Sequence, residues 1–249
     1  MPQPTASSLV PDMREPHRPA TGLVTDPAVV TAIADRIAAE TDSTIEVLAR
    51  EGRHFDLETT SQYLGYGPLL DRESVQLRSI TKETDTIELW KHIEGEAVTV
   101  DIPEPLLEGD IIPVPTLRPA RDGGLAGVTK LLGRTTDPDL YAPATLTATV
   151  AIIDPPIAVL DATTTFAGEP VATDALIAGP PFDVDAVGEQ LLGRDGQAVG
   201  TTDIDAVTVR CDDVDLETVE GAIPSGDYPT TGHSRMLSKG YRLYSRLTG

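Results

Sequence analysis

The 249 residues include one cysteine, one tryptophan and no asparagine. A lone cysteine, Cys211, excludes a disulfide framework and a thiolate zinc site. In the alternating run "AVTVRC" it reads as a small buried hydrophobe on a strand. Aromatic residues make up 4% of the chain, too few for a surface built on stacked rings. No apolar run approaches the ~18 residues of a membrane-spanning helix. The opening "MPQPTASSLVPDMREPHRPATG" lacks the apolar stretch of a secretory leader, so the expected site of synthesis and assembly is the cytoplasm. Lysine is scarce as well: Lys82, Lys91, Lys130 and Lys239 are the whole set.

Carboxylates are what the chain has in abundance. Asp and Glu number 40 against 19 Lys and Arg, for a formal net charge of -21. An acidic, lysine-poor, threonine-rich surface suits a salt-loaded cytoplasm, where salt screens carboxylate repulsion over ~3 Å at about 1 M. In this respect the composition resembles proteins of haloarchaea and their viruses. It also makes an aspartate cluster a weak sign of a metal site.

The pattern along the chain predicts an α+β fold, mostly β, in four zones. Residues 1–25, with Pro2, Pro4, Pro11, Pro16 and Pro19, read as an extended arm. Residues 26–103 read as a core of one helix and antiparallel strands. The helix spans 26–51, with Asp26 as N-cap, Pro27 at the first turn, Gly52 as its stop and Val29, Ile33, Ile37, Ile45 and Leu48 on one stripe. The strands are "ETTSQYL", "SVQLRSITK", "DTIELWKHI" and "AVTVDI", and Trp90 is expected to anchor the core. Residues 104–231 read as an added Pro/Thr-rich β domain with strands "DIIPV", "ATLTATVAII", "IAVLDATTTF" and "DAVTVRC" and a short helix in "FDVDAVGEQLLG". Residues 232–249 form a basic tail without Asp or Glu.

Chemistry-bearing motifs are few. His17, His54, His92 and His233 fall in different zones without ligand spacing, and neither HExxH nor GxSxG occurs. "DGGLAGVTKLLGR" (122–134) looks like a phosphate loop but lacks the Gly-Lys-Ser/Thr ending, and reads as a flexible loop. Asp213, Asp215 and Glu217 would share one side of an extended segment, without an EF-hand pattern. Hence no catalytic residue, cofactor site or metal site is assigned, and the chain is not expected to be an enzyme.

One resemblance remains. "IEVLAREGRHF" (45–55), Thr59–Tyr66 and Val75–Leu89 run helix end, Gly-Arg-aromatic turn, Thr-rich strand, then strand. In this order the chain resembles head–tail connector (adaptor) proteins of tailed viruses, of haloarchaeal type. The resemblance implies a structural virion protein: a ring-forming homo-oligomer between the portal and neighbouring tail proteins, near packaged DNA and without a membrane partner. Another virion β-protein (decoration, turret or baseplate component) and a cellular haloarchaeal binding module are the alternatives. In the tail, Arg235, Lys239, Tyr241, Arg242, Tyr244 and Arg246 are the candidate partner-binding residues. Its arginines are suited to carboxylates on an acidic neighbour, while docking on its own domain and contact with DNA stay open.

Overall fold

A computed structural model describes residues 6–13, 21–52, 55–121, 123–194, 207–212, 216–224 and 226. Its centre is a four-stranded parallel sheet: β1 (Ser7–Pro11), β2 (Ile45–Arg50), β3 (Val75–Ile80) and β6 (Asp110–Val114), in the order β3-β2-β1-β6. Two antiparallel pairs flank it, β4 (Thr86–Ile93) with β5 (Glu96–Pro103), and β7 (Ala158–Phe166) with β8 (Pro170–Gly179). The α+β class expected from the pattern is therefore present. Seven helices among the described residues hold a larger share of the chain than "mostly β" implies.

Several elements differ from the sequence expectation. In its described part the proline-rich start is not an extended arm: Ser7–Pro11 is an interior strand, paired with β2 on one side and β6 on the other. Apolar Leu9 and Val10 are fully buried there, and that burial outweighs the prolines around them. The first helix, α1, covers only Pro27–Ala38, capped by the Asp26 carboxylate on the Ala28 amide as expected. Thr41 to Thr44 carry the chain out of it, and "IEVLAR" becomes β2, with Ile45, Val47 and Ala49 on one side and Leu48 on the other. Such a short run fits both periods, and its β-branched residues favour the strand.

Threonine-rich segments read as strands turn out helical. "ETTSQYL" lies in α2 (Leu57–Leu64), capped by Asp56 on the Thr59 amide at 2.6 Å. "ATLTATVAII" lies in α5 (Pro143–Ile153), with proline in the first turn. In both helices the hydroxyls bond back to the preceding turn: Thr60 to the Asp56 carbonyl, Thr147 to Pro143 and Thr149 to Thr145. The hydroxyl thereby finds an acceptor within the helix, so threonine is accommodated there although its β-branched carbon leans toward a strand. "DAVTVRC" yields no strand among its described residues, and Cys211 is exposed rather than buried.

Both sides of the parallel sheet are covered, as such sheets require. On one side Leu9, Ile45, Val47, Ala49 and Val75 pack with α1, α2 and α3 (Gly67–Leu70). On the other, Val10, Leu48, Ile80 and Ile111 join α4 (Val128–Thr136), α5, α6 (Pro181–Leu191) and β7. Arg50 ties sheet to helix, its guanidinium donating to the Thr135 and Thr136 carbonyls at the end of α4. Because β6 pairs with β1 along its whole length, the boundary expected at 103/104 falls inside one sheet. Among its described residues, 104–231 forms no second sandwich. It supplies β6, the β7–β8 pair and four helices, the last being α7 (Leu216–Ala222).

Trp90 is 64% exposed. The β4–β5 pair alternates: Leu89, Ile93, Val98, Val100 and Ile102 face the core, so Trp90 points to the opposite side.

Candidate functional site

The strand order reverses at β1. From β1 the chain passes through α1 to β2 on one side, while β6 joins from the other. In open α/β sheets ligands bind outside the carboxyl ends of strands at such a switch point. Here the described residues beyond the strand ends are 12–13 and 21–26 after β1, and 115–121 and 123–127 after β6.

These segments carry a cluster of partly buried charge. Asp12 follows β1, and its carboxylate takes Nη2 of Arg118 at 2.6 Å, with side-chain exposures of 13% and 7%. Thr25 holds the loop back on the strand ends: its hydroxyl donates to the Val114 carbonyl at 2.6 Å and accepts the Asp12 amide at 2.8 Å. Asp26 caps α1 with one carboxylate oxygen. Its own amide donates to the Asp161 carboxylate at 2.7 Å. Gly22 makes this approach possible, because its φ is +65° and a Cβ there would lie 2.6 Å from the Thr164 carbonyl oxygen.

Asp161 arrives on β7, where a parallel bridge to Thr116 extends the sheet past β6. The Asp161 amide donates to the Pro115 carbonyl, and its carbonyl accepts the Leu117 amide, each at 2.8 Å. Beneath the cluster Tyr66 is fully buried and donates its hydroxyl to the Thr25 carbonyl at 3.2 Å. Burial, then the carboxylates of Asp161, Asp26 and Asp12, push the Tyr66 phenol well above its ordinary value. The proton stays on the phenol, and the group serves as a donor. The Thr116 hydroxyl is fully buried without a hydrogen-bond partner, adjacent in the sheet to Asp161.

Burial also raises the Asp161 carboxyl, opposed by the Asp26 amide and by the hydroxyl and amide of Thr163. A carboxyl whose native pKa lies above its ordinary 3.8 binds more protons folded than unfolded between the two values, so its contribution to stability falls as pH rises through that window. Urea unfolding of wild type and Asp161→Asn across acidic pH is expected to show this decline in the wild type, and the substitution is expected to remove its share. Parallel pH profiles would contradict it.

A second carboxylate explains the phosphate-loop look-alike. From Val128 onward that stretch belongs to α4, and Lys130 donates to the Gly123 carbonyl at 2.7 Å. The first amides of α4, Val128 and Thr129, donate to the buried carboxylate of Asp185 on α6. The place a phosphate would take is filled by the protein's own anion.

Other sequence candidates lie apart. His92 is exposed on β4 against Trp90, with ring centroids 5.3 Å apart. His17, His54, His233, Asp213 and Asp215 lie outside the described residues, and so do all six tail candidates, Arg235 to Arg246. Among the described residues no group of three or more His, Cys, Asp or Glu is arranged to hold a metal ion, and no helix is long and apolar enough to cross a membrane. The cluster of Asp12, Thr25, Asp26, Tyr66, Arg118 and Asp161 was not found from sequence, since its members are scattered over four segments that only the strand order brings together. Neither a family model, nor a curated protein, nor a solved structure matches this chain.

Proposed function

We propose that the protein is a binding module that takes a small polar ligand at the carboxyl ends of β1 and β6 of its parallel sheet. The observation that carries this reading is the coincidence of the switch point with the Asp12–Arg118 pair and the Asp26 and Asp161 carboxylates. Among the described members of the cluster three carboxylates stand against the guanidinium of Arg118, which Asp12 engages. Asp161 is buried with its oxygens taken by Asp26 and Thr163. Asp26, half-buried and using one oxygen for its cap, is therefore the acceptor for a ligand rich in hydroxyl or amino donors. An anion would meet net repulsion there.

Thermal unfolding in high potassium chloride tests this against polyols, nucleosides and small amines, with nucleotides and inorganic phosphate as the anionic arm. Stabilisation by neutral or cationic donors is expected, together with a smaller shift in Asp26→Asn, which keeps an N-cap and loses the charge. Stabilisation by the anionic arm alone, or by none of the compounds, overturns the proposal.

The head–tail connector reading is the competing proposal, and the fold lends it no support. The segments behind the resemblance form a parallel strand (45–50), a helix (57–64) and strands of two separate sheets (75–80 and 86–93). Light scattering decides this point directly, because a ring subunit assembles to many times the chain mass of 26.4 kDa.

A further inference from the structure

The outer side of the β4–β5 pair is acidic, aromatic and open. Glu88, Trp90 and His92 on β4 alternate with the core-facing residues, and Thr99 and Asp101 do so on β5; all five are exposed. Glu88 stands directly opposite Asp101 and Trp90 opposite Thr99. Like charges opposite one another destabilise an antiparallel pair. A large exposed ring beside them is costly in a chain with one tryptophan. Both features become favourable with a guanidinium at this spot, stacked on the indole and bonded to the carboxylates.

The chain supplies such groups itself. Beyond Gly226, the last described residue, the sequence runs to Gly249, and from Gly232 onward it carries Arg235, Lys239, Arg242 and Arg246 without one Asp or Glu. Gly226 is held at the β7–β8 turn, where its carbonyl accepts Arg194 Nη2 at 3.0 Å. Residues 227–249 can span up to ~75 Å when extended, more than the ~45 Å across a domain of this length. Every face of the same molecule lies within reach, at an effective concentration that a second copy at ordinary dilution does not match. We infer that the outer side of the β4–β5 hairpin is the docking surface for the chain's own arginine-rich C-terminal segment, with Trp90, Glu88 and Asp101 as its recognition residues.

The single tryptophan is the probe. Acrylamide quenching of Trp90 fluorescence is measured in the full chain, in Arg242→Glu/Arg246→Glu, in Glu88→Lys/Asp101→Lys and in the combination of all four. Each charge-reversed pair is expected to raise the open fraction of the indole roughly tenfold, a loss of about 1.4 kcal/mol of docking free energy. The combination, which swaps the charges, is expected to restore protection. Circular dichroism unchanged in all four proteins places the effect in docking and not in folding. Equal quenching throughout overturns the inference. So does protection that fades on dilution while light scattering reports a doubled mass, since the occupant is then another copy. The result is independent of the switch-point proposal, whose residues are not altered.

Discussion

Replacing Asp185 with alanine is expected to destabilise the protein by about 4 kcal/mol, on the scale of several buried donors losing one shared acceptor. Asp185 is 4% exposed on α6, and its carboxylate takes the Val128 amide at 2.6 Å, the Thr129 amide at 2.9 Å and the Thr129 hydroxyl at 2.6 Å. The first amides of any helix have no partner within it, and at α4 these two are sealed from water. Gly127 permits the approach, because a Cβ there would stand 2.0 Å from the aspartate oxygen. Alanine at 185 therefore removes one side chain and orphans three donors. Total stability of a domain is only ~5–15 kcal/mol, so much of it is at stake. Asp185→Asn keeps one carbonyl acceptor and is expected to fall between wild type and alanine. Urea unfolding followed by circular dichroism measures both, and a loss for alanine below about 1 kcal/mol would show that water or the backbone re-satisfies α4.

The start of another helix, α1, shows what was legible in the sequence. Asp26, Pro27 and the 3.6-residue stripe located the start of α1, because capping and periodicity act within one turn of chain. The β4 and β5 strands and α6 were legible for the same reason. Threonine misled the reading elsewhere. In a chain this rich in it, the β-branched carbon suggests a strand, whereas the hydroxyl can close on a carbonyl four residues back, as Thr60, Thr135 and Thr149 do. Which tendency wins is decided by what the segment packs against, and that is not local information. Trp90 failed by the same logic. Its strand alternates correctly, but α5 lies on the side of Leu89 and Lys91, where Lys91 Nζ reaches the Ala151 carbonyl at 3.2 Å. The opposite phase would have buried the ring. The switch-point cluster was least legible of all, since Asp12 meets Arg118 only if "SSLVP" and "DIIPV" run parallel, and Asp161 meets the Asp26 amide only where its parallel bridge to Thr116 brings it. Nothing in a run of four apolar residues states the direction of its neighbour.

Arg118→Met isolates the other large contribution. Arg118 is 6% exposed and its Nη2 meets Asp12 at 2.6 Å. Methionine fills much of the same volume without charge, leaving the Asp12 carboxylate partly buried without its partner. Breaking a buried pair from one side costs about 3–5 kcal/mol, because the remaining ion has lost its partner and has not regained water. The companion variant, Asp12→Leu with Arg118→Met, removes both ions and is expected to recover most of that loss, as apolar replacements of buried pairs do. Function separates the two results. If the pair only held the strand ends together, the double variant would bind ligand as the wild type does. With the pair forming part of the ligand site, the double variant is expected to unfold near the wild-type midpoint and yet lose the thermal shift given by donor-rich compounds. Recovery of stability with binding intact would leave the switch point without its recognition groups, and would move the search for the ligand to another surface of the molecule.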